Sequence, residues 1–204
     1  MAFIIKDISN THPTDFKFYF LDSNVLINYF QYERSGTPNS KQKYSDFVST
    51  VINLNFVAKS DDTPRPKFIL TSLLLSEFFN AYMRQVSIKT YAAKLNVPVD
   101  SVDYKRNFRP SETYSKELKQ LISDLDIWNV FGCTELLDDD FKALNPFSEI
   151  LPNLDSKSDF NDYYFYALLK NRKDTAIVTD DADFAFENLP IITSNSKLLR
   201  LSKK

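Results

Sequence analysis

This sequence contains very little glycine, cysteine and histidine, and each shortage excludes a class of functional site. Only two glycines, Gly36 and Gly132, occur among 204 residues. A glycine-rich loop that wraps phosphates with backbone amides cannot be built, which excludes Walker-type and dinucleotide-binding proteins. The single cysteine, Cys133, excludes an internal disulfide and a multi-thiolate zinc site, and it fits a reducing compartment. The single histidine, His12, excludes histidine triads and multi-histidine metal sites, so any chemistry must come from carboxylates.

The chain also lacks a long apolar segment. No apolar run reaches the roughly 18 to 20 residues that span a bilayer, and the apolar part of the N-terminus is too short for a secretory signal. We therefore expect a cytoplasmic protein that does not enter a membrane. Apolar residues make up 43% of the chain and aromatic residues 15%, which is enough for a buried core. We expect a single domain over residues 1–204, with a helical insertion at about 87–152.

The charge is distributed unevenly, although the net charge of −2 favours no class of partner. Residues 82–119 contain eight Lys or Arg and four Asp or Glu, a balance of +4. Residues 123–162 contain two basic and ten acidic residues, a balance of −8. The basic segment mixes cations with aromatic residues, which suits phosphate contact and base stacking on single-stranded RNA. The candidate RNA-binding residues are Arg84, Lys94, Lys105, Arg106 and Arg109, among Tyr91, Tyr104 and Phe108. A solvated helical face above core aromatics is the alternative interpretation.

Hydrophobic periodicity predicts strands that alternate with helices. Strands are predicted at 18–21, 67–71, 176–179 and 190–193, with a short strand in the segment CTELL. Helices are predicted directly after Asp22, over 41–58, from 73 to beyond 82, over 112–128, over 138–144 and after Ser158. Ser72 and Ser158 are the predicted helix caps, and residues 87–110 show no clear pattern. This alternation favours an α/β fold, a three-layer α/β/α sandwich with a mainly parallel central sheet.

Four acidic residues are predicted to lie at one edge of this sheet. Asp22 ends the first strand, Glu77 lies about one turn into a helix that follows a strand, and Asp181 comes just after a strand. Asp162 lies in the first turn of its helix, where an acid stabilises the helix dipole by roughly 0.3 to 1 kcal/mol, and taken alone it would be structural. Ligands of parallel sheets bind at the carboxyl ends of the strands, so these four acids are the candidate site.

Four short segments carry a resemblance to a known family: FLDSNVLI, TSLLLSEFFN, DFNDYYFYALL and VTDDADF. They resemble, in the correct order, the signature blocks of the PIN domain nucleases. Within that family, the VapC-type toxins are the proteins that we would compare with this chain. The resemblance covers residues 18–29, 67–83 and 158–193, and it implies catalytic and metal-binding roles for Asp22, Glu77, Asp162 and Asp181. Asp159 is a nearby candidate for the third block, while Thr179, Asp183 and Phe184 fit the fourth block in register.

The resemblance and the acids together imply a divalent metal ion. Carboxylates brought close together repel one another, and oxygen-only ligands select Mg²⁺ or Mn²⁺ over zinc. We expect Asp22 and Asp181 to bind the principal metal, and Glu77 and Asp162 to complete the site or to position the nucleophilic water. Thr179 is expected to orient a carboxylate or water, and Asn24 to form a hydrogen bond near Asp22. The implied activity is an endoribonuclease that hydrolyses RNA, as in a VapC-type toxin with an antitoxin partner and a homodimer.

Two alternatives belong to other classes of protein. A catalytically inactive PIN-like module would bind RNA or a protein partner through the same fold, because a fold does not guarantee an activity. A haloacid dehalogenase-like phosphatase would require a second aspartate two residues after Asp22. Asn24 occupies that position, which argues against the phosphatase.

Overall fold

The computed structural model describes residues 3–36, 41–57, 65–138, 141–154 and 158–202, and its centre is a six-stranded sheet. The strands are β1 (Ile5–Asp7), β2 (Phe18–Leu21), β3 (Lys67–Leu70), β4 (Thr134–Leu136), β5 (Thr175–Val178) and β6 (Ile191–Thr193). Their order is β1-β6-β5-β2-β3-β4, and every pair is parallel. The predicted α/β class with a parallel central sheet is confirmed.

The helices of the described chain connect these strands and cover the sheet. They are α1 (Ser23–Ser35), α2 (Gln42–Val57), α3 (Ser72–Tyr82), α4 (Ile88–Leu95), α5 (Glu112–Val130), α6 (Pro146–Glu149), α7 (Phe160–Leu169) and α8 (Ser196–Leu201). Two π-helical turns, Met83–Ser87 and Tyr104–Phe108, lie in the segment between α3 and α5. Within the described ranges, no helix has the length and apolar content needed to cross a membrane.

The central strand β2 is buried on both faces, which produces the three layers. Successive side chains of a strand point to opposite faces. Tyr19 packs edge-on against Phe47 of α2, with ring centroids 5.1 Å apart. The next residue, Phe20, packs against Phe165 of α7 on the opposite face, at 4.7 Å. Helices therefore cover both faces of the sheet, as in an α/β/α sandwich.

The parallel arrangement brings the carboxyl ends of β2, β3 and β5 to one edge. Asp22 follows β2, and its backbone N–H donates to the carbonyl of Val178, the last residue of β5, at 3.0 Å. Thr71 follows β3, and Thr179 follows β5. Three chain segments that are remote in sequence therefore begin their loops or helices side by side.

Two predicted helix caps are wrong by one position. Thr71, not Ser72, caps α3, because Thr71 is the last residue with extended backbone and its hydroxyl accepts from the N–H of Leu74 at 3.1 Å. Asp159, not Ser158, caps α7. The hydroxyl of Ser158 instead donates to the carbonyl of Asp183 at 3.0 Å, so Ser158 holds the loop that follows β5.

The remaining differences concern short elements. Strand β1 was not predicted, because a three-residue strand shows no periodicity and depends on pairing with β6 almost 200 residues later. The helix predicted over 138–144 is wrong where it can be compared: residues 141–144 form a turn, and residues 139–140 lie outside the described residues. A short helix begins instead at Pro146, a residue that favours the first turn. Residues 87–110, which showed no clear pattern, contain α4 and short helical turns.

Tyr44 of α2 connects the ends of β5 and β6 beneath the acidic edge. Its buried hydroxyl accepts from the backbone N–H of Ser194 at 2.8 Å. The same hydroxyl lies 2.9 Å from a carboxylate oxygen of Asp180 and 3.1 Å from the hydroxyl of Thr193. One phenol therefore satisfies polar groups from two strand ends.

We predict that Tyr44→Phe lowers the free energy of unfolding by about 1–3 kcal/mol, because it leaves the N–H of Ser194 buried without its acceptor. Urea unfolding measures the change. Tyr91→Phe is the control, since the Tyr91 hydroxyl makes an exposed contact with the carbonyl of Asn107 at 3.3 Å. The control should stay within about 0.5 kcal/mol of the wild type. Equal effects of the two substitutions would contradict the role given to Tyr44.

Candidate acidic site

Asp22 lies where β2 meets α1, and hydrogen bonds hold both of its carboxylate oxygens. Oδ2 accepts from the hydroxyl of Thr179 at 2.8 Å. Oδ1 accepts from the backbone N–H of Asn24 at 3.4 Å and lies 3.3 Å from the hydroxyl oxygen of Ser23. Asp22 is thus the N-cap of α1, and the contact expected of Asn24 is made by its backbone amide. The position of this carboxylate is set by two neighbouring strands.

Glu77 of α3 is held by side chains from two other helices. The buried hydroxyl of Ser23, the first residue of α1, donates to Oε1 at 2.6 Å. The side-chain amide of Asn161, near the start of α7, donates to Oε2 at 3.2 Å. Both oxygens of this half-buried carboxylate therefore have a neutral donor. Glu77 is oriented toward the place where α1, α3 and α7 begin.

Thr179 joins two of the acids through one buried hydroxyl. The hydroxyl donates to Asp22 and accepts from the backbone N–H of Asp181 at 2.9 Å. Asp181 is half-buried, and its Oδ1 accepts from the N–H of Asp183 at 2.9 Å. Asp183 is exposed, and Phe184 is buried in the core. The predicted orienting role of Thr179 thus corresponds to two observed hydrogen bonds.

Asp162 forms a capping box with Asp159 at the start of α7. Oδ1 of Asp159 accepts from the N–H of Asp162 at 3.1 Å, and Oδ2 of Asp162 accepts from the N–H of Asp159 at 3.0 Å. Asp162 therefore has the structural role of stabilising the start of its helix. Asp159 is exposed and acts as the cap, whereas Asp162 is half-buried and faces other carboxylates.

The pKa values show that the acids act on one another. Burial raises the pKa of Asp22 to about 6; hydrogen bonds from Thr179 and the Asn24 backbone oppose this, and the charges of Glu77 and Asp181 add to it. Burial raises the pKa of Asp162 to about 7, opposed by its backbone hydrogen bond with Asp159. The charges of Asp159, Asp181 and Asp22 raise it further.

The structure thus brings together the four acids named from the sequence. Each of them belongs to a different segment: Asp22 at the end of β2, Glu77 in α3, Asp162 in α7, and Asp181 after β5. Every one of the four interacts electrostatically with at least one of the others. Like charges held this close favour a counter-cation.

The donor set fits a hard divalent cation in its chemistry, although its ligands are not already gathered around one point. Among the residues that the structure describes, no three or more His, Cys, Asp or Glu side chains form a group that could hold a metal ion as they stand. Neutral hydrogen-bond donors, such as the Thr179 hydroxyl and the Asn161 amide, hold the carboxylates instead. A cation at this place would be bound by oxygen atoms alone, which suits Mg²⁺ or Mn²⁺. Some carboxylates would have to turn from their present donors toward the ion.

Ser23 and Asn161 were missed in the sequence, although both contact Glu77. Each stands directly beside a predicted acid, Ser23 after Asp22 and Asn161 before Asp162. That adjacency was the only signal in the sequence. Their contacts with Glu77 join residues 54 and 84 positions apart, so the fold alone makes them visible.

The basic residues named from the sequence lie on a separate surface. Arg84, Lys94, Lys105, Arg106 and Arg109 are all exposed. Phe108, however, is fully buried, so it cannot stack on a base. For this ring the alternative interpretation, a core aromatic beneath a solvated face, is the correct one. Tyr91 and Tyr104 are half-buried.

We predict that the two raised pKa values make stability fall as the pH rises. Both folded values, about 6 for Asp22 and about 7 for Asp162, lie above the ordinary 3.8. Between about pH 4 and pH 7 the folded protein therefore binds more protons at these groups than the unfolded chain does. Their contribution is most favourable below pH 4 and is lost through pH 7.

The test compares wild type with the double variant Asp22→Asn and Asp162→Asn, by urea unfolding in EDTA. Because one pKa unit corresponds to about 1.4 kcal/mol, the double variant should gain at least about 1 kcal/mol relative to wild type between about pH 4.5 and pH 7.5. Asp174→Asn, at an exposed position beside the start of β2, should give no such gain. Parallel stability curves for wild type and the double variant would contradict the prediction.

Comparison with known proteins found no family model, no curated protein and no solved structure that matches the chain.

Proposed function

We propose that this protein is a divalent-metal-dependent endoribonuclease that hydrolyses RNA phosphodiester bonds at the acidic edge. One observation carries the proposal: Asp22, Glu77, Asp162 and Asp181 come from four separate segments and interact electrostatically, and the pKa values of two of them are raised. Strongly perturbed carboxylates that gather at the carboxyl ends of parallel strands are typical of a functional site. The resemblance of the four sequence blocks to PIN domain nucleases points to the same reaction.

The chain's own residues have distinct tasks in this proposal. Asp22 and Asp181 would hold the principal Mg²⁺ or Mn²⁺, directly or through water, and Glu77 and Asp162 would complete the site or position the nucleophilic water. The bound ion would activate water and neutralise charge on the attacked phosphate. Thr179 keeps Asp22 and the Asp181 backbone in register, at 2.8 and 2.9 Å. Ser23 and Asn161 are positioning residues that orient Glu77.

RNA is the proposed substrate because an acidic site needs cations elsewhere to hold a polyanion. The exposed residues Arg84, Lys94, Lys105, Arg106 and Arg109 supply them. On the resemblance to VapC-type toxins, an antitoxin protein and a second copy of the chain are the proposed protein partners. Both rest on that resemblance alone.

A second candidate is a catalytically inactive PIN-like module that binds RNA or protein. One observation favours it: the hydrogen bonds within the site satisfy the acids with neutral donors, as in a polar network that only stabilises a fold. The two candidates differ in whether the protein cuts RNA and binds metal.

The activity test uses labelled single-stranded RNA with purified protein in Mn²⁺, in Mg²⁺ and in EDTA. Wild type should cleave only with metal, and Asp22→Asn should lower the rate at least about a hundredfold, because loss of a metal ligand removes several kcal/mol of transition-state stabilisation. Asp174→Asn, away from the acidic edge, should cleave like wild type. Equal cleavage by every protein would indicate contamination. Binding without cleavage in every condition would favour the inactive module.

Metal binding gives a second prediction that does not depend on turnover. At 100 times its Kd, a ligand of the folded state adds about 2.7 kcal/mol, which corresponds to roughly 5–10 °C in Tm for a chain of this size. Mn²⁺ should therefore raise the Tm of wild type and of Asp174→Asn at neutral pH. Asp181→Asn should show a clearly smaller rise. A rise of the same size in Asp181→Asn would remove this residue from the proposed ligand set.

A further inference from the structure

The segment between α3 and α5 concentrates cations that lack acidic partners. Over residues 83–111, here called the basic excursion, six cations stand against two acids, a balance of +4. The six are Arg84, Lys89, Lys94, Lys105, Arg106 and Arg109, and all are exposed. Within the described ranges, Arg106 alone of these six has an ion pair, with Asp103 at 3.8 Å. Elsewhere several cations are paired, as in Arg34 with Glu117 and Asp124. Unpaired exposed cations are available to an anionic ligand.

Two arginines of the basic excursion contact Tyr104, Arg84 through its guanidinium and Arg109 through its backbone. The guanidinium of Arg84 lies over the ring of Tyr104, with 4.3 Å between its central carbon and the ring centroid. The backbone N–H of Arg109 donates to the carbonyl of Tyr104 at 2.8 Å, so the backbone of Arg109 lies beside the same residue. Burial and then a hydrogen bond with Tyr114 raise the pKa of Tyr104, while the charges of Arg84 and Arg109 act to lower it. Arg84 therefore stacks on Tyr104, and Arg109 is fixed to the same residue through its backbone.

An aromatic cluster holds this arrangement in place. Tyr104 and Tyr114 pack edge-on against the fully buried ring of Phe108, at 5.7 and 5.3 Å between centroids. Tyr91 of α4 packs against Phe108 at 5.3 Å. Because Phe108 anchors the second π-helical turn and Arg84 lies in the first, the cation–π contact joins the two turns. A preorganised cation loses less entropy on binding an anion than a free one.

The helical path from α3 into the first π-helical turn relates Arg84 to the acidic site. Arg84 follows Glu77 by seven residues, and the π-helical turn that contains Arg84 begins directly after the last residue of α3. Their Cα atoms are separated along the axis by roughly 10 Å. At a rise of about 3.4 Å per nucleotide, this corresponds to about three nucleotides of a stacked strand.

We propose that Arg84 and Arg109, held around Tyr104, form a phosphate-binding site for the backbone of single-stranded RNA, a few nucleotides from the bond at the acidic edge. The site rests on the proposed function for its substrate class. A guanidinium that stacks on a ring keeps its N–H groups free at the edge, where they match two phosphate oxygens. Tyr104 serves as the platform for Arg84, so the recognition is of phosphate and not of base sequence.

The experiment measures binding of a fluorescein-labelled oligouridylate by fluorescence anisotropy in EDTA, over a series of salt concentrations. The test protein is the double variant Arg84→Gln and Arg109→Gln. The matched control is Arg200→Gln in α8, an exposed arginine on the helix that packs against β1, at the edge of the sheet opposite β4. Unchanged melting temperatures show that both variants are folded.

We expect the double variant to bind at least about tenfold more weakly near 0.1 M salt. The slope of log affinity against log salt should fall by about 1.4, because each lost phosphate contact on a single strand contributes about 0.7. Arg200→Gln should bind like wild type. Unchanged affinity and slope in the double variant, or an equal loss in Arg200→Gln, would overturn the site.

The result is separable from the proposed activity. If the wild type never cleaves RNA but the double variant loses RNA binding, the phosphate-binding site is supported and the nuclease activity is contradicted. If the wild type cleaves RNA while the double variant binds RNA normally, the nuclease activity is supported and the phosphate-binding site is contradicted.

Discussion

The hydrogen bond from the Thr179 hydroxyl to Asp22 is the contact on which the acidic edge depends. It joins the ends of β2 and β5, the two central strands, and the same hydroxyl accepts from the backbone of Asp181. Because the oxygen is fully buried, it has no water to replace either partner. Tyr44 supports the same corner from α2 through Asp180 and Ser194. Two neutral hydroxyls thus fix the geometry of a crowded set of negative charges.

That crowding has an energetic cost, which the raised pKa values of Asp22 and Asp162 express. Neutral donors hold the acids: Ser23 and Asn161 bind Glu77, and Thr179 binds Asp22. A neutral donor orients a carboxylate without cancelling its charge, so the cluster keeps its negative charge. A lysine or arginine at this place would reduce the repulsion between the acids. The proposed nuclease activity would make use of this uncompensated charge.

Charge is divided between the acidic edge and the basic excursion. The acidic edge repels a phosphate backbone unless a cation intervenes, whereas the basic excursion attracts it. Within the excursion, the buried ring of Phe108 fixes Tyr104, and Tyr104 fixes Arg84. The chain as a whole carries a net charge of only −2, so this division cannot be seen in its composition. The division becomes visible only in the folded molecule, where some cations have acidic partners and others do not.

The sequence by itself determined the α/β class, strand β2, the long helices and the places of the four acids in or beside these elements, because apolar periodicity and the step from strand to acid are local signals. Local patterns did not reveal β1, the caps at Thr71 and Asp159, or the contacts of Ser23 and Asn161 with Glu77. Only the tertiary structure decided these, together with the burial of Phe108. Each depends on partners that folding alone brings together across dozens of residues, and local periodicity carries no information about such distances.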